Sequence, residues 1–192
     1  KINFYGKIKV GDKMKKGFTL IELLAVITIM GILMMVAIPS VSRTIENSRR
    51  DTFADNALTY VNTVRNAVMA DELSCSYAGA AAGATVTASA TPNGTYYFVI
   101  DTTAQQTKDI MEKVALSSWG SAEIKGYVKW VKDTNASTGR TTTVYSVRLA
   151  DTGAHGFTAE VSEKDVSRSK IYTEGATQVT TPGTGTYACT LK

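Results

Sequence analysis

The sequence predicts an α+β fold: one long N-terminal helix, its hydrophobic half protruding, packed on an antiparallel β-sheet meander. Three observations predict it. An apolar run from Phe18 to Ile38 carries a single charge, Glu22. That run passes without a break into an amphipathic helical pattern reaching about Glu72. Further on, three segments alternate apolar and polar residues at the period of half-buried strands.

The apolar run comes first in the chain. Its 21 residues would span about 31 Å as a helix, the thickness of a bilayer core. It is apolar on all sides, which buries a helix in protein or in lipid. Lys13, Lys15 and Lys16 stand just before it and the next basic residue is Arg43. That asymmetry leaves the N-terminus in the cytoplasm and the remainder outside. A secretory signal peptide is one rival, but its apolar region is shorter and ends in small residues. Here the run ends in Ala37-Ile38-Pro39-Ser40, and a cut there would fall inside one continuous helix. A plain membrane anchor is the other rival. It leaves Glu22 unexplained, although an ionisable group inside such a helix is costly and marks function.

The stretch Lys15-Lys16-Gly17-Phe18-Thr19-Leu20-Ile21-Glu22-Leu23-Leu24 resembles the class III signal of type IV pilins and pseudopilins. The elements of the match are a basic leader, Gly before Phe, Glu five residues into the mature chain, and an apolar helix. The resemblance covers Lys13 to about Pro39. It implies a pilin fold and a prepilin peptidase that cuts between Gly17 and Phe18 and methylates the new amine of Phe18. It implies a homo-oligomer, a helical filament built with inner-membrane assembly machinery, in which Glu22 of an incoming subunit pairs with the Phe18 amine of a neighbour. Such a pair relieves the cost of a buried carboxylate only after assembly, and so fixes axial register. The resemblance also implies that the helix stretches between Gly31 and Pro39, where a weak helix former and a missing donor coincide. An ordinary proline kink is the alternative there.

The division that follows is residues 1–17 as a cleaved leader and 18–39 as the transmembrane or filament-core helix. Residues 40–73 are its amphipathic second half, and 74–192 are the loop, sheet and tail of the globular domain. The whole chain has 21 Lys plus Arg against 17 Asp plus Glu, but residues 1–17 hold six of the former and one of the latter. The processed chain therefore keeps 15 and 16, a formal net charge of −1. Nucleic acid is then an unfavoured partner. Met14 makes a short leader sufficient, and the sequence leaves the true start open. Cys75 and Cys189 fall in the outside part, where a disulfide is expected on compartment grounds. It would tie the C-terminal segment to the end of the long helix, a spacing unlike the C-terminal loop that pilin disulfides usually bracket.

Along the amphipathic half, Ala54, Ala57, Leu58, Val61, Val64, Ala67 and Val68 recur at helical steps. Arg43, Glu46, Arg49 and Arg50 precede the stripe and are read as a mixture of solvated groups and salt bridges between subunits. Residues 74–95 read as a loop rich in Ser, Ala, Gly and Thr, with Pro92-Asn93-Gly94 as turn chemistry. Tyr96–Ile100 reads as a strand and Gln105–Leu116 as a short helix. The strands of the meander place Ile124, Val128 and Trp130 on one face, then Tyr145, Val147 and Leu149, then Phe157, Ala159 and Val161. Thr134–Gly139 and Asp151–Gly156 are the connecting turns. An apolar sheet face needs a cover, and the helix from Ser40 supplies it. Residues 173–188 read as a surface tail.

No catalytic residue, metal site or cofactor is expected, because neither ligand spacing nor a phosphate loop occurs. His155, the one histidine, reads as a surface turn residue. Asp101, Asp109 and Glu112 read as solvated acids, and Asp151 has too few neighbours for calcium. Asn93-Gly94-Thr95 and Asn135-Ala136-Ser137 match the glycosylation acceptor pattern. Lys125, Tyr127, Lys129 and Lys132 along one strand are the only candidate for a nucleic-acid patch, with a solvated strand face as the alternative. The functional expectation is a structural subunit of a type IV pilus serving adhesion, motility or attachment. It waits in the cytoplasmic membrane before assembly and is extracellular afterwards. The alternatives are a pseudopilin or minor pilin of a secretion or DNA-uptake system, and an anchored ectodomain of unrelated function.

Overall fold

The computed structural model describes residues 17–77, 85–87, 93–111, 114–120, 122–179 and 186–192. The boundary between two compact units falls between Arg43 and Thr44. Helix α1 (Leu20–Met69) contributes to both and runs through Gly31 and Pro39 without interruption. In the first unit the large apolar side chains are exposed, Leu20 of α1 at 82% and Phe18 just before it at 91%. This segment is long and apolar enough to cross a membrane.

In the second unit, α1 buries Phe53, Ala54, Ala57, Tyr60, Val61, Val64 and Ala67. The alanines let the helix approach closely, while Phe53 and Tyr60 fill the volume between helix and sheet. Neither aromatic belongs to the stripe read from the sequence, although both hold its register. Among the described residues the sheet has seven strands: β1 (Leu73–Tyr77), β2 (Thr85–Thr87), β3 (Gly94–Asp101), β4 (Ile124–Thr134), β5 (Thr141–Asp151), β6 (Val161–Ser162) and β7 (Tyr187–Leu191). Their spatial order is β2-β1-β7-β3-β4-β5-β6. Every pairing is antiparallel except β3 with β7. Ile124, Val128, Trp130, Val147 and Leu149 face the core as their alternation requires. Gly126 permits β4 and β5 to pair where they do, since a Cβ there would overlap the Arg148 carbonyl.

An aromatic row crosses five strands. Tyr77 pairs with Tyr187, Tyr187 with Tyr96, Tyr96 with Trp130, and Trp130 with Tyr145. Successive ring centroids are 5.1, 4.6, 5.4 and 6.4 Å apart. The Arg65 guanidinium closes the row 4.7 Å from the Tyr145 centroid and pairs with Glu163. Such cross-strand contacts fix register, because a one-residue slip would turn each ring to the other face.

Four sequence expectations are corrected. Residues 74–95 are not all loop, since β1 and β2 lie within or against that stretch. In β1, Leu73 and Cys75 are buried between outward serines, an alternation that small residues hide from composition. Tyr187 and Ala188, the end of the stretch read as a tail, begin β7, which lies inside the sheet between β1 and β3. The short helix α2 (Gln105–Ile110) ends before Leu116 because Met111 turns extended and buries its side chain. Phe157 and Ala159 are not in a strand. Gly156 bridges Ala150 and Tyr172, Phe157 is buried, and the chain then leaves the ladder so that Glu160 reaches Lys129 and Ser146.

Candidate processing and assembly site

Gly17, Phe18 and Thr19 precede the helix in non-helical, exposed backbone. Among the described residues, nothing lies within 4 Å of the position a Gly17 side chain would take. The Gly17–Phe18 peptide is thus open on the side where a bulkier residue would obstruct it. Thr19 and Glu22 form a reciprocal cap. Glu22 Oε2 accepts from the Thr19 amide at 2.8 Å and from its hydroxyl at 2.9 Å. In return the Glu22 amide donates to Thr19 Oγ1 at 3.3 Å. Two orphan donors of the helix end are satisfied at once, and the acidic group stands at the positive end of the dipole. Glu22 Oε1 makes no protein hydrogen bond among the described residues. The carboxylate is therefore held in place by one oxygen and open to a cation through the other.

The Ser/Thr-x-x-Glu signature is present as Thr19-Leu20-Ile21-Glu22, so Thr19 was findable from sequence. Gly31 and Pro39 lie farther along the same helix, and open space surrounds the Gly31 position.

The other singled-out residues lie in the second unit. Cys75 and Cys189 are directly opposite on β1 and β7, buried, and joined in a disulfide. Asp151 is 1% exposed. It accepts from Ser117 Oγ, from the amides of Gly153 and His155 at 2.8 Å each, and contacts His155 Nδ1 at 2.9 Å. The His155 ring stacks on Trp119 with centroids 4.6 Å apart, and Trp119 Nε1 donates to Glu46 Oε2 at 3.3 Å. His155 thus occupies a turn, as read, but its ring is a packed structural element. Nothing in the sequence joins Ser117, Trp119 and Glu46 to it, since the cluster is made by three separate segments. Glu46 also pairs with Arg50 at 3.0 Å.

Asp101 is held by Thr103 and pairs with Lys125 at 3.2 Å, and Asp109 accepts from Gln105. Glu112 lies outside the described residues. No group of three or more metal-ligating side chains occurs among the described residues. Lys125 and Lys129 share the outer face of β4 with Tyr127, but their charges are taken up by Asp101 and Glu160. Lys132 is on the opposite parity of the strand.

Among curated proteins and among solved structures, no match to the chain is found. Residues 12–38 match the model of the prokaryotic N-terminal methylation motif, a span that contains Gly17, Phe18, Glu22 and Gly31. The chain therefore carries the class III signal of type IV pilins and pseudopilins, joined here to a long helix and a mostly antiparallel sheet.

Proposed function

We propose that the chain is a structural subunit of a type IV pilus, processed by a prepilin peptidase and polymerised through its N-terminal helix. The observation that carries this reading is Glu22, the single charge in an exposed apolar segment and four residues beyond Phe18. Cleavage after Gly17 creates an amine on Phe18, which the same enzyme class methylates. In the filament, Glu22 of one subunit pairs with that amine on another. The Thr19 cap supports this, since it orients the carboxylate before any partner arrives and leaves Oε1 for the amine. The segment from Gly31 to Pro39 supplies the extensible stretch, because Pro39 already lacks one helical donor. The disulfide between Cys75 and Cys189 suits an oxidising, outside location.

Two measurements test the reading. Mass spectrometry of the mature N-terminus should find methylated phenylalanine at position 18, and an N-terminus beyond Ile38 rejects the proposal. Glu22→Ala should abolish filaments while the processed monomer still accumulates in the membrane. Normal filaments in that variant would remove the assigned role of Glu22.

A further inference from the structure

Two Asn-X-Ser/Thr triplets lie side by side at one end of the sheet, and the structure treats their carboxamides differently. Asn93 Oδ1 accepts from the Thr134 amide at 2.9 Å, and its Nδ2 donates to the Thr134 carbonyl at 3.3 Å. That nitrogen is committed to holding the β4–β5 hairpin. Asn135 begins the turn of the same hairpin. The turn is closed by the Asn135 amide on the Arg140 carbonyl at 3.0 Å and the Gly139 amide on the Asn135 carbonyl at 2.8 Å. Gly139 takes the left-handed conformation, φ 65°, that this requires. Asn135 Oδ1 accepts from the amides of Ser137 at 2.9 Å and Thr138 at 3.1 Å. Among the described residues, neither Asn135 Nδ2 nor Ser137 Oγ makes a protein hydrogen bond. Every residue from 135 to 144 is exposed.

A carboxamide nitrogen is a weak nucleophile because its lone pair is shared with the oxygen. Two donors fixed on Oδ1 stabilise the negative charge that gathers there as Nδ2 gives up a proton. The triplet also presents its hydroxyl and its nitrogen on a surface turn, the context an acceptor needs. Asp133 stands exposed two residues ahead, whereas Thr91 holds that place before Asn93.

We infer that Asn135 is an N-glycosylation acceptor. The donor is a sugar activated at C1 by a pyrophosphate leaving group, carried on a polyprenyl lipid or on a nucleotide. The Nδ2–C1 bond forms as the bond from C1 to the pyrophosphate oxygen breaks. The leaving group keeps that electron pair, and the Nδ2 proton passes to a base of the transferase. The inference rests on the hairpin alone and stands or falls separately from the role proposed for Glu22.

Trypsin cuts after Lys132 and after Arg140, so the eight-residue peptide Asp133–Arg140 isolates Asn135 from Asn93. The full chain taken from its native cells should yield this peptide with a glycan mass that electron-transfer fragmentation places on Asn135. Ser137→Ala should lose the increment, Ser137→Thr should keep it, and Thr95→Ala should leave it unchanged. Recovery of the peptide only in unmodified form overturns the inference. So does an increment placed on Thr134, Ser137 or Thr138. Arresting export separates the donors while supporting the acceptor in either case. An increment present on chain held in the cytoplasm identifies a nucleotide sugar, and one absent there identifies a lipid-linked sugar.

Discussion

Three donors, from Ser117, Gly153 and His155, converge on Asp151, and the His155 ring nitrogen Nδ1 contacts it as well. Replacing it by alanine strands a buried serine hydroxyl and two turn amides and deprives the His155 ring of its partner. Losing one member of such a buried set costs about 3 kcal/mol. Asp151→Ala should therefore lower the urea midpoint of the unit Thr44–Lys192, with an unchanged m-value. Tyr60 gives a prediction in pH. Burial pushes its hydroxyl up to about 12, and the bond it donates to the Ala115 carbonyl at 2.9 Å exists only while the proton is held. The folded state thus holds this proton after the unfolded chain has released it. The stabilisation is whole below pH 10, falls as the unfolded tyrosine ionises, and is gone once pH passes about 12. Tyr60→Phe should flatten the loss of stability between those limits, read from unfolding curves across alkaline pH. At this scale the sequence was a fair guide to Glu22, whose cost follows from composition alone. It was a poor guide to Asp151, whose partners lie on segments that only tertiary structure brings together.

Elements were legible where one period dominated. In β4 and β5 the alternating apolar residues Ile124, Val128, Trp130, Tyr145, Val147 and Leu149 are buried as the pattern reads, while neighbours such as Tyr127, Ser146 and Ala150 are buried too. β1 and β7 have five residues each, built on Ser, Ala, Thr and Cys, so no window separates them from loop. What makes them strands is each other, the disulfide, and the aromatic row that passes through Tyr77 and Tyr187. Closing a loop across a sequence separation of 114 residues stabilises the fold by up to about 4.7 kcal/mol in the chain-entropy model. Reduction should therefore lower the denaturation midpoint steeply, and Cys189→Ser should reproduce the reduced protein. A midpoint indifferent to reductant would assign the stability of β7 to packing alone. The capping box was readable at the other end of the chain, because its four-residue signature is local.

For the molecule as a whole, the sign of charge depends on processing. The chain carries a formal net charge of +4, and removal of residues 1–17 leaves −1. Isoelectric focusing of membrane extracts should thus resolve two forms, with the more acidic one beginning at Phe18. A single basic form would mean that the leader stays attached. Under the proposed function, the basic segment would orient the chain in the membrane, and its loss would remove a repulsion that otherwise accumulates as copies come together.

The position of β7 sets an order of events during synthesis. The strand enters between β1 and β3, which have no direct pairing with each other. Until synthesis has delivered the chain through Leu191, the sheet is two separate pieces with facing open edges. Helix α1 is complete more than a hundred residues earlier, so a half-built domain must persist for that interval. Open edges of this kind invite pairing with a neighbour's. A truncation just short of Tyr187 would hold the chain in that state, never closed.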